Sequence, residues 1–101
     1  MKALLISPDS RSVQSIDIEN LGDIKRLIGY DTVISEPIGP ENDCLFFDEE
    51  CFLRGTAGRF QIDTAVPVSG RGVVVGSTDG GDTLRDVSSD EAGIVARLKF
   101  L

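Results

Sequence analysis

Apolar residues along this chain come in short runs divided by turn formers, with a strand-like spacing that gives way once to a helical one. Ala3 to Ser7 opens with four apolar residues, and Pro8-Asp9-Ser10 puts proline where a type I turn accepts it. Val13, Ile16 and Ile18 then continue the pattern across Ser12 to Ile18, which predicts a β-hairpin. After it, Leu21, Ile24, Leu27 and Ile28 recur at helical spacing. Asn20 is placed to cap a helix with Asp23 three residues on, and Gly29 suits the left-handed position that ends one. The spacing predicts a helix over 20–28, whose apolar stripe needs a sheet to cover.

Strand character returns at Thr32 to Ile38 and closes at Pro37 and Gly39-Pro40. Cys44 to Phe47 and Cys51 to Arg54 read as a second hairpin with Asp48, Glu49 and Glu50 as a solvated tip. Gly55 to Gly58 reads as a loop. Phe60, Ile62 and Val66 are expected to re-enter the core, Gly72 to Ser77 is the clearest strand, and Thr83 to Val87 is its expected partner. At the end, Ile94, Ala96, Leu98 and Phe100 alternate with Val95, Arg97, Lys99 and Leu101, so a turn of helix at 89–92 followed by a strand is expected. The sum is an α+β fold: one domain over 1–101, a mainly antiparallel sheet of five to seven short strands, and one principal helix packed on it.

Composition narrows the classes of function. The chain has 101 residues, 41% of them hydrophobic, enough for a core that needs neither metal nor disulfide. No run approaches the roughly 20 apolar residues of a membrane span, and the first apolar run stops at Pro8, so the expected location is the cytoplasm. Ten Lys and Arg face seventeen Asp and Glu, for a formal charge of −7 with no histidine. That sign repels phosphate backbones and anionic membranes and steers basic partners toward the surface. The acids thicken at 41–50 and at 79–91, which makes Asp48, Glu49, Glu50, Asp79, Asp82 and Asp86 the candidate protein-facing surface.

Chemistry is thinly supplied. Cys44 and Cys51 are seven apart, which on a hairpin puts them on opposite faces. They read as reduced, partly buried hydrophobes, and no close ligand pairs or histidine complete a zinc set. Residues 76–83, GSTDGGDT, match a phosphate loop except that Asp82 stands where lysine belongs. Asp79 and Asp82 inside an anion cradle would oppose phosphate by several kcal/mol at low dielectric, on the order of the Coulomb energy of close charges. The stretch therefore reads as a reversal between two strands. Without histidine no nucleophile has its usual base, and no enzyme, cofactor or metal is expected. Arg54, Arg59 and Arg71, with Tyr30 and Phe60, offer the elements of a small polar contact site, or simply solvated and paired arginines.

Several phrases together carry a resemblance: MKALLISPDSRSV, DIKRLIGYDTV, LFFDEECFLRG, FQI, GRGVVVGSTDGGDT and RLKFL, spread over nearly the whole chain. In these the sequence resembles the family catalogued as domain of unknown function 3846, which occurs mainly in phages and mobile elements. The family brings no activity or catalytic residues. The resemblance implies an accessory protein acting inside a bacterial cell, with Gly29, Asp48 and Gly76 at turns or strand ends; Cys51 departs from the small turn residue expected there. Composition and resemblance combine into one expectation, a small acidic protein that binds and modulates a host or phage protein. One form of this is inhibition of a nucleic-acid-handling or defence complex. The alternatives are a small-ligand or nucleotide domain using the 76–83 loop, and a subunit of a homo-oligomer pairing through edge strands.

Overall fold

The computed structural model describes residues 1–38, 42–54, 58–63, 65–78 and 83–101. The first hairpin forms as its pattern predicts: β1 (Lys2–Ser7) pairs antiparallel with β2 (Ser12–Asp17), with Leu4 opposite Ser15. Helix α1 (Leu21–Ile28) begins where Asn20 accepts the amide of Asp23 at 3.1 Å, and ends at Gly29 with φ 96°. A left-handed residue is strained with any side chain but tolerated by glycine, which is why the helix stops there.

β3 (Val33–Pro37) pairs with β4 (Asp43–Asp48), and β4 pairs with β7 (Gly72–Thr78). β7 also pairs with β1, so the strand order is β2-β1-β7-β4-β3. β8 (Thr83–Arg85) joins β7 from Gly76 onward, where β1 has ended with Ala3 beside Val75, and completes a six-stranded sheet. A second sheet of three strands has the order β6-β5-β9, from β5 (Arg59–Ile62), β6 (Val68–Ser69) and β9 (Leu98–Phe100). Every pairing is antiparallel. The α+β class is as expected, with nine strands among the described residues instead of five to seven, and in two sheets instead of one.

The central strands of the large sheet, β1, β7 and β4, are buried on both faces. Alternate residues of β1, β7 and β4 divide between two cores: Ala3, Leu5, Val73, Val75, Cys44 and Phe46 meet Ile24 and Ile28 of α1. On the other face Leu4, Ile6, Val74, Leu45 and Phe47 meet Phe60, Ile62, Val68 and Ile94 of the second layer. Burial on both sides explains why these strands are unbroken apolar runs, such as LLI, VVV and LFF, without polar alternation. Cys44 and Cys51 are both free and buried, one in each core, so the sheet itself separates them.

Three expectations change. The second hairpin does not exist: after β4 the chain turns through Glu49 and Glu50 into a single 3-10 turn, Cys51–Leu53, because β4 finds its partners in β3 and β7. The C-terminal helix is longer than expected, α2 (Glu91–Arg97), leaving only Leu98–Phe100 as strand. Asp90 caps it by accepting the amide of Gly93 at 2.7 Å, and burial of Ile94 against the second core outweighs the local alternation. Val66 is 41% exposed and lies outside the core that takes Phe60 and Ile62.

Candidate functional site

Asp48 shows how far the sequence reading of the acids must be revised. The last residue of β4, it was expected at a solvated tip with Glu49 and Glu50, yet it is 3% exposed. Its carboxylate accepts from the Thr32 hydroxyl, from the Glu50 amide at 3.1 Å and from Arg54 Nε at 3.0 Å. Burial pushes the Asp48 pKa up, but the Thr32 and Glu50 hydrogen bonds and the Arg54 guanidinium outweigh it, and the group is held below its ordinary value. The same guanidinium donates to Thr32 at 3.2 Å, pairs with Glu50 at 3.3 Å and lies 4.2 Å from the centre of the Tyr30 ring. Asp48 and Arg54 therefore fasten the turn after β4 to the end of α1 and the start of β3. Glu49 and Glu50 do stand in solvent.

The remaining predicted acids lie elsewhere. Asp86 is exposed and accepts the Lys2 amide at 2.8 Å, next to the start of β1. Antiparallel register puts Gly76 beside Asp43, the other end of β4 from Asp48, with five residue steps on the order of 17 Å between them. The candidate surface therefore divides, with Glu49 and Glu50 at one end of the sheet and Asp86 at the other, near exposed Asp17 and Glu19. Asp79 and Asp82 lie outside the described residues.

The described flanks of 79–82 show what Gly76 does. Gly76 is a mid-strand residue, not the turn or strand-end position that the family resemblance suggests: it pairs with Asp43 on one side and Arg85 on the other. A Cβ there would stand 2.2 Å from the Asp86 carbonyl oxygen, so glycine is required by close backbone approach, not by an anion. The next described element after β7 is the strand β8, not the helix whose N-terminus receives the phosphate in such loops.

A cleft of about 360 Å³ lies beside the Asp48 cluster, between the C-terminal end of α1, the β1–β2 turn and the β6–β7 turn. It is lined by Asp9, Arg26 and Arg71 together with Tyr30, so charges of both signs face it. Of the three arginines grouped by sequence, Arg54 is committed to Asp48 and Arg59 lies 5.4 Å from the Phe52 ring, whereas Phe60 is fully buried and forms no part of an arginine site. Among the described residues, no group of three or more His, Cys, Asp or Glu is placed to hold a metal ion, and no helix is long and apolar enough to cross a membrane.

Two features escaped sequence reading. Asp43, buried at the start of β4, accepts the Ser88 amide at 2.7 Å, the Ser89 amide at 3.0 Å and the Ser89 hydroxyl at 2.8 Å, and so fixes the approach to α2 from 45 residues away. Nothing local announces such a contact. Phe52 and Leu53, assigned to a hairpin strand, lie in the 3-10 turn and are 53% and 83% exposed. The 3-10 turn buries Cys51 and directs the next two side chains outward. Comparison with known proteins returns no matching family model, no matching curated protein and no matching solved structure.

Proposed function

We propose that this protein acts by stoichiometric docking on a protein with a basic surface, and not by turning over a substrate. The observation that carries the reading is how its carboxylates are used. The buried ones, Asp43 and Asp48, have their acceptor positions taken by donors that hold the fold together. The acidic excess, −7 overall, is thus carried mainly by solvent-facing groups such as Glu49, Glu50, Asp17, Glu19 and Asp86, accessible to cationic side chains. Direct binding to nucleic acid is opposed by the same charge. The setting belongs to the same proposal: an accessory protein of a phage or mobile element, working in the bacterial cytoplasm on a host or phage protein, one such target being a nucleic-acid-handling or defence complex.

Affinity capture from bacterial lysate tests this directly. A basic protein partner should be retained at about 0.05 M salt and released as the concentration approaches about 0.5 M, where screening shortens the reach of surface charge to a few ångströms. Absence of any salt-sensitive protein partner would overturn the reading.

A further inference from the structure

The acids explain attraction but not where a partner sits, and the turn after β4 supplies what they lack. Residues 49–53 read Glu-Glu-Cys-Phe-Leu, and they place two acids beside two exposed apolar side chains in one tight turn. We propose that this turn is the contact centre for a partner segment that is both basic and apolar, such as an amphipathic cationic helix. On such a segment, apolar side chains would cover Phe52 and Leu53 while Lys or Arg meets Glu49 and Glu50. The proposal rests on the docking reading above and deepens it by naming the site and the chemistry of the partner.

Isolated surface hydrophobics need no explanation, so the weight falls on how this pair is held. The Leu53 amide donates to the Glu50 carbonyl at 2.9 Å, the Glu49 amide to the Thr32 carbonyl at 2.7 Å, and the Glu50 amide to the Asp48 carboxylate at 3.1 Å. Cys51 is rooted in the core, and Arg54 is clamped by Asp48 immediately afterwards. The apolar pair is therefore presented on a braced turn whose ordering has already been accomplished by folding, the condition under which a few side chains can dominate an interface. Arg59 lies against the Phe52 ring and leaves Leu53 as the most exposed large hydrophobic of the described residues.

Charge selects among the occupants. A second copy carries −7 and would bring a second Glu49-Glu50 pair against the first, and an anionic membrane meets the same repulsion. A basic segment is attracted by both acids. Glu50 shares its carboxylate with Arg54 at the turn's inner side, and no hydrogen bond or ion pair engages the Glu49 carboxylate among the described residues, so Glu49 is the stronger cation acceptor.

The test uses the full chain and defined peptides. A helical Lys/Leu peptide of about 18 residues, five turns, is titrated into isotopically labelled protein, beside an all-Lys peptide and a Glu/Leu peptide of the same length. The Lys/Leu peptide should shift the amides of residues 49–54 and 59, and the Glu/Leu peptide should not bind. Phe52→Ser with Leu53→Ser, and separately Glu49→Lys, whose carboxylate is engaged by no hydrogen bond or ion pair among the described residues, should each weaken binding about tenfold. The altered side chains are solvent-facing, so thermal midpoints and far-ultraviolet spectra should be unchanged, which separates loss of contact from loss of fold. Shifts centred on Asp17, Glu19 and Asp86, with no dependence on Phe52 or Leu53, would overturn this site while leaving electrostatic docking intact. Failure of every cationic peptide to bind at low salt would overturn the site and the docking reading together.

Discussion

At the scale of single residues, the Asp48 carboxylate contributes more to stability than to surface charge. Its hydrogen bonds to Thr32, Glu50 and Arg54 hold it below the ordinary value of 3.8, so the folded protein binds that proton less tightly than the unfolded chain does. The stabilisation is complete above the unfolded value and is lost as pH falls through the lower folded one. Asp48→Asn should cost about 2 kcal/mol at neutral pH, in line with the loss of charge-assisted hydrogen bonds to a buried group. The gap from wild type, read from urea unfolding curves, should hold steady down to about pH 5 and narrow below about pH 4. A gap that widens on acidification would refute the assignment. Residue identity alone did not reveal this role: Asp48 follows an apolar run and precedes two more acids, as a hairpin tip would.

At the scale of elements, legibility follows from how local the determinants are. α1 was read with its cap and its stop because Asn20, Asp23 and Gly29 act within one or two turns of the helix they bound. The first hairpin was read for the same reason, from Pro8-Asp9-Ser10 between two apolar runs. The segment after Phe47 was misread because hydrophobicity at Cys51, Phe52 and Leu53 suggests a strand, while the partners of β4 are β3, before it in the chain, and β7, far beyond the turn. Gly76 belongs at this scale as well. Gly76→Ala would drive a methyl group into the Asp86 carbonyl and the Arg85 side chain, so the β7–β8 pairing must give way. Destabilisation of about 2–4 kcal/mol by chemical denaturation is expected, at or above the usual range for overpacking because backbone is struck. A near-neutral substitution would mean that β8 is not held against β7 as described.

For the molecule as a whole, the sheet is the organising layer, with α1 on one face and the small sheet and α2 on the other. β7 is the strand at its centre, flanked by β1 and β4 and buried from Gly72 through Ser77. Amide hydrogen exchange should therefore be slowest in β7 and β4 and fastest in β3 and β8, whose pairing is one-sided or short. Comparable protection across all strands would contradict this ordering. The same arrangement splits the acids between the two ends of the sheet, so the six predicted surface residues do not make one described face: Asp48 is internal, Asp86 is distant from Glu49 and Glu50, and Asp79 and Asp82 lie outside the described residues.

The sequence by itself determined the α+β class, the capped helix, the first hairpin, the strand at 72–77 and the acidic excess, because each depends on spacing, local capping or a sum over residues. It also determined that GSTDGGDT lacks the lysine of a phosphate loop. Only the tertiary structure decided which acids are spent on the fold and which face solvent. Asp43 and Asp48 carry the same side chain as Asp86, and what distinguishes them is desolvation matched by donors that arrive from Ser88, Ser89, Thr32 and Arg54. Those donors are brought in by strand register and packing. The exposure of Phe52 and Leu53 was decided the same way, by a turn that had room to bury only Cys51.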